Sequence, residues 1–276
     1  MSKLTPEDVV LRYSKRGMNV LKKYLKDGYC RTAAEKLLHA ERGTVLLTTG
    51  FYVAGYAETD GPLGTVAVAE ALNHLGFHSV VVTDKYCKGF FELKQLDVEY
   101  VDIAADEQIY EDILDKYNPV YMISIERCGE NAEHEYANMR GVSITSETAA
   151  IDHLFELAPE KHIPTIGVGD GGNEIGMGNV KDIISEKLEL NPCVVPVDDL
   201  IIATTSNWGA YALTAWLQKL SGEEVLFTFA EAEPYLAATL EIGSVDGVLK
   251  EKKMGVDGFD MTVEKEILDS LAEAIA

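Results

Sequence analysis

A chain of 276 residues, 47% of them hydrophobic, holds enough apolar material for one large α/β domain or two smaller ones, which excludes disorder as its general state. Its 46 acidic residues against 24 basic ones leave a formal net charge of -22, and no Lys/Arg stripe is dense enough to grip nucleic acid or an anionic membrane. Cys30, Cys87, Cys128 and Cys193 lie far apart without a C-x-x-C pair, and no apolar run suits a signal peptide or a membrane span, so the expectation is a cytoplasmic protein with reduced thiols.

From Thr5 to His39 apolar residues recur at helical spacing (Val9, Met18, Leu21, then Ala33, Ala34, Leu37), with Gly28 dividing the run into two helices. The texture then changes to short β-rich runs at 44–50, 79–84, 98–103, 120–126, 163–169 and 200–206. Helical patterns at 62–75, 86–96 and 106–117 separate the first four. This alternation predicts a doubly wound, mostly parallel sheet in a Rossmann-like three-layer α/β/α arrangement with an N-terminal helical extension. Runs such as VLL, VVV and LIIA suit strands covered on both faces. Neither a repeat nor a linker divides the chain, which predicts a single α/β domain over 1–276. Its parts would be a helical lead-in (1–40), a catalytic core (44–220) and a C-terminal tail (221–276) ending in a helix at 262–275.

Glycine and polar residues gather after the strands' carboxyl ends, where open α/β sheets bind ligands. Six of the twelve residues from Gly167 to Gly178 are glycine, a composition that disfavours regular structure and lets backbone approach a ligand closely. Asp170, Asn173 and Glu174 stand among them. Before the helix at 62, Asp60 is either its N-cap or a site carboxylate, Glu58 has no capping role, and the helix start would present free amides to an anion. After the fourth strand come Glu126, suited to proton transfer if crowded by other carboxylates, and Arg127 and Arg140, which either clamp a substrate carboxylate or form ordinary ion pairs. Asn138 holds that loop or touches substrate. Another helix starts with Thr205 or Ser206 as cap, with Asn207 beside it, Trp208 as packing or pocket wall, and Gly222 as its stop. Asp170 and Glu174, with Asp60 and Glu58, suit Mg²⁺ or Mn²⁺. The same carboxylates without a cation would raise one another's pKa, so metal binding and acid–base work compete for them. No histidine pair shows metal-ligand spacing, and no organic cofactor is expected.

GDGGNE imitates a loop of haloacid-dehalogenase-like phosphatases, but the nucleophilic Asp those enzymes need at the end of the first strand is missing, and TTGFYVAG is not the dinucleotide fingerprint G-x-G-x-x-G. A different ordered set is more specific: Thr49-Gly50-Phe51, Glu58-Thr59-Asp60-Gly61-Pro62 with Gly64, Glu126-Arg127 with Gly129, Asn138-Met139-Arg140-Gly141, Gly169-Asp170-Gly171-Gly172-Asn173-Glu174, and Ser206-Asn207-Trp208-Gly209. This set resembles the D-glutamate cyclase family. The resemblance implies reversible dehydration of D-glutamate to 5-oxo-D-proline, a small anionic amino-acid substrate, with Glu126, Asp170 and Glu174 as the catalytic carboxyls. Substrate-binding positions would be Thr49, Gly50, Glu58, Asp60, Arg127, Asn138, Arg140, Gly171, Gly172, Asn173, Ser206 and Asn207. A phosphatase, or a sensor of small molecules or nucleotides on the same scaffold, is the alternative, because fold does not fix function.

Overall fold

The structure, a computed structural model, describes residues 4–276; the first three residues of the lead-in lie outside them. In chain order come α1 (Pro6–Val10), α2 (Met18–Leu21), α3 (Tyr29–His39), β1 (Thr44–Thr48), the small hairpin β2 (Tyr52–Val53) and β3 (Tyr56–Ala57), α4 (Pro62–His74), β4 (His78–Thr83) and β5 (Asp97–Tyr100). Then follow α5 (Gln108–Tyr117), β6 (Tyr121–Ile125), α6 (His153–Leu157), β7 (Thr165–Gly169), α7 (Lys181–Leu188), β8 (Asp199–Ile202), α8 (Ser206–Ser221) and α9 (Phe229–Ile242). A second hairpin, β9 (Gly255–Val256) and β10 (Phe259–Asp260), leads into α10 (Met261–Ile275).

Six strands pair in the order β5-β4-β1-β6-β7-β8, every pair parallel. β1 sits centrally with Leu47 opposite Val81 on one side and Ile123 on the other, all fully buried. The chain winds outward from β1 to β5, then returns and winds the other way, which makes the fold a doubly wound α/β sheet. With the right-handed crossovers that parallel strands take, this reversal of winding puts α4 on one face and α5, α6 and α7 on the other, in keeping with the contacts of α4 with α8 and of α5 with α6. α8 packs on α4, α3 and α10, so lead-in and tail join one hydrophobic cluster that runs from Val9 to Ile275. Among the described residues no helix is long and apolar enough to cross a membrane, and all four cysteines are free and buried.

Three expectations for local structure change. The lead-in breaks at Gly17 as well as Gly28, leaving two short helices before α3, because Gly17 takes φ 82 and the Leu188 side chain fills the place of its missing Cβ. No α-helix forms over 86–96. Asp84 caps a 3₁₀ turn at Lys85–Cys87, Gly89 turns the chain with φ 91, and a second turn follows at Phe91–Lys94. Cys87, Phe90 and Phe91 are all buried and their spacing would suit one face of a helix, but Gly89, with its positive φ, breaks the helix between them and leaves two tight turns. Finally, β8 stops at Ile202, since Thr205 becomes the N-cap of α8, its hydroxyl accepting the Trp208 amide at 3.3 Å.

Candidate active site

The winding of the chain reverses between the parallel neighbours β1 and β6, so the loops after these strands diverge and open a crevice at their carboxyl ends. A cavity of about 250 Å³ lies there, its inner end lined by Glu58, Glu126, Asp170 and Asp257 around one guanidinium, that of Arg16. Each comes from a different segment, and local structure explains how each is aimed. Glu126 ends β6 with φ 49, a left-handed conformation that costs a non-glycine residue on the order of 1–3 kcal/mol and turns its side chain off the sheet into the crevice. Glu58 is held where its strand-like bridge to Val245 stitches the first loop to the tail, and its carboxylate packs against Gly247. Asp257 and Gly258 form the two-residue turn between β9 and β10, both with positive φ as a type I′ turn requires.

Asp60 lies behind this surface. Its carboxylate accepts the backbone amides of Ser206 at 2.8 Å and Asn207 at 2.7 Å, so it caps α8, and of the helix that follows it reaches only the adjoining Gly61 N, at 3.0 Å. Asn207 returns the arrangement: its Oδ1 accepts Gly61 N at 2.9 Å and Gly64 N at 2.7 Å and caps α4. The two helices approach so closely that a Cβ on Gly64 would lie 2.8 Å from that of Ala210. The amides expected to meet an anion at the start of α4 are thus already taken at Gly61 and Gly64.

Arg16 donates to Asp170 Oδ1 and to Asp257 Oδ2, each at 2.5 Å, and ties the lead-in to the glycine loop and to the tail. Ser206 Oγ donates to Glu126 Oε2 at 2.5 Å. One oxygen each of Asp60, Glu126 and Asp170 come within 4.8 Å of one another, and Asp170 Oδ2, buried, has no partner among the described residues. Burial is the largest cause that pushes the Glu58, Glu126 and Asp170 carboxyls well above the usual carboxylate range, and neighbouring carboxylates push the same way. For Asp170 the Arg16 charge opposes the rise without cancelling it. Asp60 is raised to about 7 by burial and Asp257, against the pull of its two amide hydrogen bonds. Burial would lower the Arg16 pKa, but the facing carboxylates raise it instead and keep the guanidinium charged.

The remaining predicted positions divide by geometry. Glu174 lines the cavity, yet its Oε1 accepts Gly171 N at 2.6 Å and its Oε2 accepts Gly172 N at 2.7 Å, so the glycine amides hold this side chain and the loop closes on itself. Asn173 also lines the cavity and anchors the loop through Nδ2 to Ala137 O at 2.8 Å. Asn138 and Arg140 stand at the mouth, Arg140 exposed. Arg127 is absent from the cavity: fully buried, it pairs with Asp84 Oδ2 at 2.6 Å and donates to the carbonyls of Gly50 at 2.8 Å and Ala149 at 2.6 Å. Thr49 and Gly50 lie beneath the surface with it, and Trp208 packs in the core, donating to Glu264 at 2.6 Å. Arg16, Asp257 and Lys250, which also lines the cavity, were not among the predicted positions. Asp257 carries a sequence signal, the Asp-Gly dipeptide between two short apolar runs that marks a tight hairpin. Arg16 and Lys250 carry none: distant partners, Asp170 and Asp257, place Arg16, and the Lys250 loop reaches the cavity through its tie to the hairpin at Gly258.

The chain is 32% identical over 259 residues to "D-glutamate cyclase, mitochondrial" of Homo sapiens, an alignment that takes in 80% of this chain and 40% of that protein. It thus spans well under half the length of that relative. Among solved structures, Brucella ovis UDP-glucose 4-epimerase in complex with NAD aligns with a TM-score of 0.33 and 14% identity, covering 54% of this chain and 49% of that one. Ligand-free Thermoplasma acidophilum aldohexose dehydrogenase aligns with a TM-score of 0.31 and 12% identity, covering 85% and 88%. Matches that loose add nothing to the sheet order described above. The sequence pattern of one family, however, runs through the lead-in, every cavity loop and the tail, from residue 7 to residue 272, and the chain belongs to it: the D-glutamate cyclase-like, C-terminal family.

Proposed function

We propose that the chain is a D-glutamate cyclase-like lyase that interconverts D-glutamate and 5-oxo-D-proline. The observation that carries the reading is the convergence of Asp60, Glu126 and Asp170, three buried carboxyls from three loops, within 4.8 Å. In the forward direction the α-nitrogen bonds to the γ-carboxyl carbon and a carbon–oxygen bond breaks. Two protons leave the ammonium and both end on the departing oxygen, so charge is conserved and water is the by-product. Such a step needs one group that takes a proton and one that gives one, with pKa values moved toward neutrality. Asp170, whose carboxyl burial holds above the usual range while the Arg16 guanidinium supports its ionised form, is a stronger base than a free carboxylate and takes the proton from the ammonium. Glu126, crowded by carboxylates and burial into its protonated form, gives one to the leaving oxygen, and Ser206 fixes its orientation.

The donor set also fits a hard divalent cation. It is all oxygen, it gathers several carboxyls around the Arg16 guanidinium, and Asp170 Oδ2 has no partner among the described residues. Asp60, Glu126 and Asp170, whose oxygens converge, would hold Mg²⁺ or Mn²⁺; Glu174 is not one of that group. When bound, the cation would neutralise the carboxylates and polarise the γ-carboxyl.

The test is to incubate metal-stripped protein with D-glutamate, L-glutamate and 5-oxo-D-proline, each with and without Mn²⁺ or Mg²⁺, and to separate the products by chiral chromatography. Interconversion confined to the D pair is expected. No conversion under any condition would remove the reading.

A further inference from the structure

We infer that Arg140 and Lys250, at the mouth of the cavity, seat the substrate's α-carboxylate, so that an amino acid enters with its amine and side-chain carboxyl facing the acidic floor. This rests on the cyclase reading and says which way round the substrate lies. Across the reaction the ammonium and the γ-carboxylate lose their charges together, whereas the α-carboxylate is an anion in both D-glutamate and 5-oxo-D-proline. A permanently charged side chain that is to bind both therefore belongs opposite the α-carboxylate. Groups that change protonation belong opposite the other two.

The cavity is polarised in that sense. Its floor carries the carboxyls, with Arg16 already consumed by Asp170 and Asp257. Its mouth carries Arg140 and Lys250, which form no ion pair among the described residues, although acidic residues outnumber basic ones 46 to 24 in this chain. Both sit on loops braced from beneath. The Asn138 side chain accepts the amides of Arg140 at 2.9 Å and Val142 at 3.2 Å. The buried Asp246 carboxylate accepts those of Val248 at 3.0 Å and Leu249 at 2.8 Å, while its carbonyl accepts Lys250 N at 2.7 Å. The other carboxylate oxygen of Asp246 accepts Gly258 N at 2.8 Å and so fixes the Lys250 loop to the hairpin that bears Asp257. Floor and mouth are thus held in register by the same side chain.

The test compares D-glutamate with its α-amide, which keeps the amine and the γ-carboxylate but has no α-carboxylate, in the full chain and in Arg140→Gln and Lys250→Gln. For D-glutamate each substitution should raise KM about 10–100-fold, with a smaller effect on kcat, as expected for loss of one charge-assisted contact. The α-amide should bind poorly to the unsubstituted protein and no worse to the variants. Turnover of D-glutamate with unchanged KM in both variants, or an equal rise for the α-amide, would overturn the seat and leave the cyclase reading intact. Without any turnover that reading fails, and calorimetric titration with D-glutamate and 5-oxo-D-proline decides the seat. Binding that weakens in either variant and disappears for the α-amide supports it, and binding that is absent or indifferent to both changes overturns it.

Discussion

Asp170 has one oxygen on Arg16 and the other without a partner among the described residues, so its carboxylate is a group whose loss should be felt in chemistry more than in folding. Asp170→Asn keeps the size of the side chain and leaves Arg16 its second partner, Asp257. We expect an unchanged circular dichroism spectrum and a fall in turnover of about 10²–10⁴-fold, the usual contribution of a positioned acid or base; full activity in the folded variant would remove the role. Gly247 tests the same cluster from outside, because a Cβ there would lie in contact with Glu58 Oε2 and 3.0 Å from Asp257 Oδ1. Gly247→Ala should displace Glu58 and cost about 10²-fold in kcat/KM, in line with the penalty for misplacing a site by an ångström, with the melting temperature nearly unmoved. Glu58, Glu126 and Asp170 were legible in the sequence because each stands in a strand-end loop whose glycines mark irregular backbone. Arg127 shows the limit of that inference. Its position after β6 and its chemistry suited a carboxylate clamp, but Asp84, from another strand end, claims its guanidinium, and no local pattern carries that pairing.

Capping illustrates at the level of elements what a sequence can and cannot convey. A carboxylate one residue before a Gly-Pro helix start reads as that helix's own cap, and the chemistry was right while the recipient was not: Asp60 serves α8, and Asn207 serves α4. The exchange locks together the helices that follow the first and last strands of the sheet, and it fixes Asp60 beside the cavity floor. Asn207→Ala should leave Gly64 N unpaired in the interior and Gly61 N with Asp60 Oδ1 alone, and cost about 1–3 kcal/mol, seen as a loss of a few degrees in melting temperature. Because Asp60 loses the geometry of its neighbour, activity should fall as well. A variant as stable as the parent would mean that water replaces the amide oxygen without cost and that the exchange does not brace the site. The short turns at 85–94 failed to read as turns for a related reason: several closely spaced apolar side chains resemble a helical face until the glycine that divides them is given its conformation.

For the whole molecule, the parallel character of the sheet and the burial of its strands were written in continuous apolar runs, since parallel strands covered on both faces need them everywhere along their length. The electrostatic balance of the site was not, because Arg16 and Asp257 reach it from opposite ends of the chain, outside the 44–220 segment that reads as the core. That balance has a consequence for stability against pH. Asp60 is raised from 3.8 to about 7, so between those values the folded protein holds a proton that the unfolded chain has released. Stability is then full below the unfolded value and is lost as pH climbs through the folded one, by on the order of 4 kcal/mol in total. Glu58, Glu126 and Asp170, shifted in the same direction, extend the decline toward higher pH. A divalent cation that binds the ionised cluster works the other way, since deprotonated ligands favour it and its stabilisation grows as RT ln(1 + [L]/Kd). Melting temperatures of the metal-stripped protein should therefore decline from about pH 5 to about pH 8, and saturating Mn²⁺ should flatten or reverse that slope with its largest effect at the alkaline end. Parallel profiles with and without Mn²⁺ would show that the carboxyls do not engage the ion. A metal-free profile that rises over the same range would show that the cluster is ionised and satisfied within the fold, leaving Arg16 and the backbone amides as sufficient partners for it.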